Sequence, residues 1–354
     1  MHPIVAGHCD SYDIPRLKQI FLHSFGELGF SFGSSRVLLK PNLLTGKAPK
    51  KAVNTHPRFV HALAEILLEE NCEVFVGDSP GYESTERALS KSGIMEVVQD
   101  LKLNVAPFNK RVKKANNGIS PYKEFLFAED PLDYDLVINL PKLKTHVMMG
   151  LTAGVKNTFG FIPSLEKAKW HLRCGRNTPL FASVLIDIHR LAKPSLTVLD
   201  GIVGMDGDGP SNGRVRPIGL VAVSRDALSL DRFLEKTLSM PFSLPISSVA
   251  LERGLLEESS LIDLGVPRVD DFRMPGTMRV NWNLPSVLRE TARSVFIKKP
   301  KCDTRKCTMC RTCIDVCPAS ALTRDENDEV RFDYRKCIRC YCCQEMCPTG
   351  AIHL

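Results

Sequence analysis

The sequence predicts a layered α/β protein, a largely parallel sheet with helices on both faces, and behind it a small separate C-terminal domain. Three observations carry this. Over the first two thirds, apolar runs of strand length alternate with segments of helical period, as a sheet built from crossover units requires. The chain has 354 residues, enough for one large core plus a second small unit. Eight of its thirteen cysteines form two equally spaced runs within residues 302–354.

Taken in order, the apolar runs predict strands at 3–6, 36–40, 73–77, 104–107, 136–140, 196–199 and 218–223. Helices are expected at 14–28, 57–70, 84–101, 181–191 and 227–238. The clearest is 57–70, where Pro57 suits the first turn and Phe59, Leu63, Ile66 and Leu67 form one apolar stripe. Residues 241–300 are less regular and rich in proline, with an amphipathic helix expected at 285–296. Lys298-Lys299-Pro300-Lys301 reads as a hinge, so the domains are 1–297 and 302–354.

The two cysteine runs are Cys307, Cys310, Cys313 and Cys317-Pro318, then Cys337, Cys340, Cys343 and Cys347-Pro348. This is CxxCxxCxxxCP written twice, the ligand pattern of two 4Fe-4S clusters in a bacterial ferredoxin-like domain. Three closely spaced thiolates wrap three irons of a cubane, and the fourth iron takes the last cysteine of the other run. The expected sets are therefore Cys307, Cys310, Cys313 and Cys347, and Cys337, Cys340, Cys343 and Cys317. Structural zinc prefers paired CxxC knuckles and has no use for a third cysteine in each run. A disulfide framework belongs to secreted chains, and nothing in this sequence resembles one. Cys302 and Cys342 fall outside the pattern and read as bystanders.

A hydrophobic content of 44% with 25% charged residues is ordinary for a globular protein, and no apolar run approaches the roughly twenty residues of a membrane span. The start, MHPIVAGHCDSYD, has neither a secretory nor a twin-arginine signal, so a cytoplasmic location is expected, where thiols stay reduced. The net charge is +7, and residues 302–354 carry eight basic and eight acidic residues, so the excess belongs to the large domain. The densest basic cluster, KRVKK at 110–114, lacks interleaved aromatics and reads as a solvated loop rather than a nucleic-acid surface. A small anionic ligand is the better use of the charge.

In open α/β sheets ligands collect beyond the carboxyl ends of the strands. KPN at 40–42, GDSPG at 77–81, KLKTH at 142–146 and DGIVGMDGDGPSNG at 200–213 all follow predicted strands. KPNLL, GDSPG, LPKLKTH followed by GLTAGVKNTFGFIP, and DGIVGMDGDGP, in this order, resemble the domain of unknown function 362 family, whose members often carry a C-terminal ferredoxin-like module. The resemblance implies an iron-sulfur protein of α/β type and assigns no reaction.

Lys142, Lys144, His146, Lys156 and Asn157, with Gly150, Gly154 and Gly160, make one dense stretch of cations and glycines. Glycines admit a ligand close to the backbone while lysines and amides hold phosphate or carboxylate oxygens. These five residues are the candidate catalytic set, in a loop that lacks Walker spacing. Asp200, Asp206 and Asp208 offer oxygens for a hard cation, although tight-turn structure is the preferred reading. Asp78 and Ser79 suit either a sugar hydroxyl or metal, or the cap of the next helix. His56 reads as a helix-entry residue, and Cys9 beside His8 as an inert buried thiol. The functional expectation is an oxidoreductase passing electrons through two clusters from a low-potential donor or acceptor protein to an anionic small molecule. A nonenzymatic electron carrier, or a maturation or binding protein docking a partner enzyme, is the alternative.

Overall fold

The computed structural model describes residues 2–278 and 298–354, so the helix expected at 285–296 lies outside the described residues. The strands are β1 (Ile4–His8), β2 (Arg36–Pro41), β3 (Glu73–Val76), β4 (Asn104–Val105), β5 (Val112–Ala115), β6 (Glu124–Phe127), β7 (Leu136–Leu140), β8 (Lys142–His146), β9 (Gly150–Thr152), β10 (Leu196–Asp206), β11 (Arg214–Ser224), β12 (Leu261–Leu264), β13 (Lys301–Cys302), β14 (Leu322–Arg324), β15 (Val330–Phe332) and β16 (Ile352–His353). The main sheet has ten strands in the order β12-β1-β11-β10-β7-β2-β3-β4, with β8 beside β10 and β9 beside β8. It is mixed but mostly parallel. The antiparallel pairs are β1 with β11, β11 with β10, and β8 with β9.

Period-2 alternation puts helices on both faces. In β2, Val37 and Leu39 enter one apolar core with Phe21 and Phe59 of helices Ile14–Glu27 and Pro57–Glu69, while Leu38 enters the opposite core with Phe181 and Leu185 of helix Thr178–Ala192. Asp13 caps the first of these helices by accepting from the Arg16 N–H, and Asp226 caps Ala227–Thr237 by accepting from the Ser229 N–H at 2.7 Å. The single helix expected at 84–101 is two, Thr85–Ser92 and Ile94–Asp100, because Gly93 sits between them at φ +77°.

Three expectations are corrected. The KRVKK stretch is not a loop: residues 112–115 are β5 of a hairpin with β6, and Lys110 and Lys113 pair with Asp133 at 2.6 Å and Glu124 at 3.2 Å. The cation-rich segment after residue 141 is not one loop either, since it forms β8, β9 and the short helix Gly154–Asn157. Its polar side chains are buried, so polarity mimicked a loop where burial made a strand. Finally, β10 does not stop at 199 but runs to Asp206 and returns as β11, a long two-stranded arm.

The C-terminal domain repeats itself. Met309, Arg311 and Ser320 have left-handed backbone (φ 52°, 65° and 47°), and thirty residues on so do Arg339, Tyr341 and Gly350 (φ 58°, 63° and 70°). The basic stretch 298–301 is packed: Tyr341 Oη donates to the Lys298 carbonyl at 3.0 Å and Tyr334 Oη to that of Pro300 at 2.9 Å.

Candidate functional site

The pattern cysteines lie close enough to one another in the small domain for their thiols to act on each other. Burial pushes the Cys313 thiol up to about 11, and the thiols acting on it next are Cys347, Cys310 and Cys307 in that order. Burial raises Cys343 as well, followed by Cys340, Cys337 and Cys317. The terminal cysteine of each run accepts a backbone hydrogen bond from four residues on, Ala321 N to Cys317 Sγ at 3.3 Å and Ala351 N to Cys347 Sγ at 3.2 Å. Four thiols per set, left-handed residues folding each loop around them, and amide donors to sulfur suit thiolates sharing a cluster.

The small domain docks on the tip of the β10–β11 arm and on neighbouring loops. Ser211 Oγ donates to the Glu345 carbonyl at 2.8 Å, Asn212 Nδ2 to that of Ile352 at 3.0 Å, and Gln344 Nε2 to that of Asp208 at 2.9 Å. Met346 packs directly on Gly81, where a Cβ would lie 2.1 Å from Met346 Sδ and displace that side chain. The glycine- and aspartate-rich arm is therefore a docking element. Its aspartates already have protein partners: Asp206 holds Arg214 at 2.7 Å and Arg216 at 3.2 Å, and Asp200 holds Lys142 at 2.8 Å and Tyr12 at 2.9 Å. Asp208 accepts from the Gly276 N–H at 2.9 Å. The tight-turn reading holds for Asp208 alone, since Asp200 and Asp206 are residues of β10.

Docking encloses a cavity of about 340 Å³ between the domains, a size suited to a small molecule. The large domain contributes Lys144, His146, Lys156 and Asn157, and Lys167 and His171 from helix Ser164–Cys174. The small domain contributes Cys317, Cys342 and Glu345 to the facing wall. Lys144 is fully buried, and burial first, then Lys156, pulls its amine down to about 7, while it donates to the Val53 carbonyl. Burial likewise lowers Lys167 to about 7, its amine bonded to the Ser79 and Pro80 carbonyls. Lys156 lies 5.6 Å from the Phe159 ring centre and has no hydrogen bond or ion pair among the described residues. It is the amine of this group that is free for a ligand.

His146 has a defined tautomer. Its Nδ1 accepts from the N–H groups of Met148 at 3.1 Å and Met149 at 3.2 Å, so the ring proton is on Nε2, 2.9 Å from Glu345 Oε1. The two atoms are close but not aligned as a hydrogen bond. Burial lowers His146 to about 4, leaving it neutral near pH 7. Burial would raise the Glu345 carboxyl, but the facing His146, Lys156 and His171 hold it below its usual range. Burial lowers the Lys156 amine, and the Glu345 carboxylate that it faces acts in the opposite direction.

Of the five candidate residues the cavity thus unites four. Lys142 is the exception: its amine is taken by Asp200 and by Tyr12 Oη at 2.7 Å, away from the cavity. Asp78 pairs with Lys40 at 2.8 Å beside Gly160, where a Cβ would sit 1.9 Å from Asp78 Oδ1. The next helix is capped by Ser84, so Asp78 is an ion-pair partner at the cavity wall. His56 stands at its helix entry, stacked 3.7 Å from Tyr12. Burial raises the Cys9 thiol, as an inert cysteine requires. The sequence reading missed Lys167, His171 and Glu345. The i, i+4 spacing of Lys167 and His171 was a usable signal, whereas Glu345 reaches the site only through docking.

Residues 37–234 match the family described as domain of unknown function (DUF362), more than half of the chain. The chain belongs to the DUF362 family. Residues 294–351 of this DUF362 protein match a 4Fe-4S dicluster domain, and the protein is an iron-sulfur protein. It is 34% identical over 285 residues to the thylakoid-associated protein sll1697 of Synechocystis sp., covering 78% of this chain and 88% of that one. Among solved structures, the lactate racemase apoprotein of Thermoanaerobacterium thermosaccharolyticum superposes at 12% identity and a TM-score of 0.41, over 67% of this chain and 57% of that one. That likeness is too low to carry a functional reading. No helix among the described residues is long and apolar enough to cross a membrane.

Proposed function

We propose that this DUF362 protein is an oxidoreductase that passes electrons through two 4Fe-4S clusters to an anionic small molecule held between its domains. The observation that carries the reading is that Cys317, a ligand of the second expected set, lines the same cavity as Lys144 and Lys156. The clusters, one on Cys307, Cys310, Cys313 and Cys347 and one on Cys337, Cys340, Cys343 and Cys317, each supply or accept one electron when bound. Lys156 holds a carboxylate or phosphate oxygen, since its amine lines the cavity and makes no hydrogen bond among the described residues, with Glu345 as the carboxylate that such a ligand displaces. Lys144, itself fully buried, adds a positive charge when protonated, and burial makes that charge act more strongly than in solution. His146 keeps its proton at Nε2 within the same wall, available to a reduced substrate. Asn157, hydrogen-bonded to Asn42 at 2.7 Å and Asn139 at 2.8 Å, braces the loop rather than reacting. Oxygen-sensitive clusters place the protein in a reducing compartment, the cytoplasm, beside a low-potential partner protein.

Anaerobic iron and sulfide analysis should find about eight irons per chain, four per cluster. Iron near four with one reducible centre would remove the two-cluster reading. Cys347→Ala should damage the cluster of Cys307, Cys310 and Cys313, not that of its own run. Mass spectrometry of small molecules copurified without oxygen should identify the anion. Lys156→Ala should then leave dithionite reduction and cluster spectra intact while abolishing reoxidation by that compound. Full-rate reoxidation in the variant would move the site, and a wild type discharged by no small molecule would make the protein an electron carrier.

A further inference from the structure

The two cysteine sets differ in their surroundings. Cys337, Cys340 and Cys343 are buried, and Cys317 of the same set borders the cavity. In the other set Cys310 is exposed and Cys307 half-buried, at the outer face. Electrons that leave at the cavity therefore have a separate surface at which to enter.

That surface is cationic and built by both domains. From the small domain come Arg305, Lys306 and Arg311, all exposed and flanking Cys307 and Cys310 in sequence. From the large domain comes the loop of Lys47, Lys50 and Lys51. Lys47 Nζ donates to the Pro348 carbonyl, and its amine is close enough to Cys347 and Lys51 to feel both, while Lys50 and Lys51 are exposed. Of the nearby carboxylates, Glu83 is engaged by Lys91 at 2.7 Å and Asp303 by Arg305 at 3.4 Å and Lys306 at 3.8 Å, while Asp315 is exposed and accepts from Tyr82 Oη at 3.3 Å. The loop GKAPKK has no part in the cavity, and its lysines are explained by nothing inside the large domain.

We propose that this rim is the electron-entry port: a one-electron carrier protein with an acidic face docks over Cys310, bridging the Lys47–Lys51 loop and the Arg305–Arg311 loop. One electron leaves the partner's redox centre, which is oxidised, and enters the outer cluster, which is reduced; no bond or proton moves. The entering charge then passes inward to the set that borders the cavity. Complementary charge accelerates and orients such docking, and its effect falls with salt. The inference rests on the two-cluster reading above.

The test uses the full chain, purified anaerobically with clusters, and an acidic two-cluster ferredoxin as the partner probe. Binding of the oxidised ferredoxin is measured by calorimetry at about 0.02 M and about 0.5 M salt, where the Debye length shrinks several-fold. Stopped-flow reduction is followed separately with dithionite, whose active species is an anion, and with the methyl viologen radical cation. Lys51→Glu with Arg305→Glu should keep the iron content and spectra, weaken ferredoxin binding at low salt at least about tenfold, and flatten its salt dependence. The same variant should slow reduction by dithionite and speed reduction by viologen. Lys50→Glu with Lys51→Glu, both outside the cysteine-bearing domain, should show the same signs if the first variant fails to load. Unchanged binding and unchanged rates in a loaded variant would overturn the port. A loss of the two-cluster reading would announce itself earlier, as iron near four and a single reducible centre in the wild type.

Discussion

Residues 2–278 bury three separate apolar clusters around a ten-stranded sheet, whereas residues 298–354 bury small patches whose members include Cys313, Cys337, Cys343 and Cys347. In the first region Phe21, Phe59 and Phe181 are wholly buried, and the ladder hydrogen bonds run through the interior. In the second, cysteines occupy the buried patch, and the strands β13 to β16 are two or three residues long. A unit this small cannot reach ordinary stability from apolar burial alone. It gains contacts by docking, while the large domain stands on its own core. The site lies where the self-sufficient half meets the dependent one.

Iron removal is the most severe way to break the comparison. Chelation under reducing conditions should erase amide protection across residues 302–354, because ligand binding energy there is folding energy, and leave β2 and helix Pro57–Glu69 protected. Protection retained by the small domain would mean that it carries a sufficient core. Glu345→Gln comes next. It takes a buried carboxylate away from Lys156 and His146, and removing one side of a buried charge group costs about 3 kcal/mol, read as a lower denaturant midpoint for the C-terminal transition with clusters still bound.

A pH titration sharpens the comparison from the cavity side. Lys144 is protonated below about 7, so sulfate, whose charge is constant, should bind most tightly there and weaken by up to about tenfold per unit as pH rises through 7. In the unfolded chain the same amine titrates near 10.5. Between these values the unfolded state binds more protons, so Lys144 makes stability rise with pH from about 7 to 10.5. Lys144→Met should make both profiles shallower, the remainder coming from Lys167, which titrates in the same range. The smallest expected effect is that of Arg176→Ala, which deletes one interdomain hydrogen bond, from Nη2 to the Cys337 carbonyl at 3.1 Å. Its cost should be about 1 kcal/mol in the C-terminal transition alone.

How much of this was legible depended on the signal. Val37, Leu38 and Leu39 announce β2 because an apolar run buried on both faces has no other economical reading. Lys142, Thr145 and His146 hide β8 because sequence patterns treat polar residues as exposed, and here every residue of the strand is buried. The same blindness made Lys142 and Lys144 look equivalent. Two residues apart in one strand, one is bound to Asp200 and Tyr12 and the other borders the cavity.

The sequence by itself determined the cysteine pattern, its thirty-residue repeat and the strand-helix alternation, since each rests on spacing along the chain and on local steric or ligand geometry. It also placed four cavity residues within one short segment. Only the tertiary structure decided that the glycine-rich arm is a docking element, that Glu345 enters a lysine-lined cavity from another domain, and that Cys317 borders that cavity while Cys310 faces outward. The physical reason is that charge, burial and access are properties of neighbours. Glu345 is separated from His146 by about two hundred positions in the chain, yet their reactive atoms are 2.9 Å apart, and no local pattern records such a pairing.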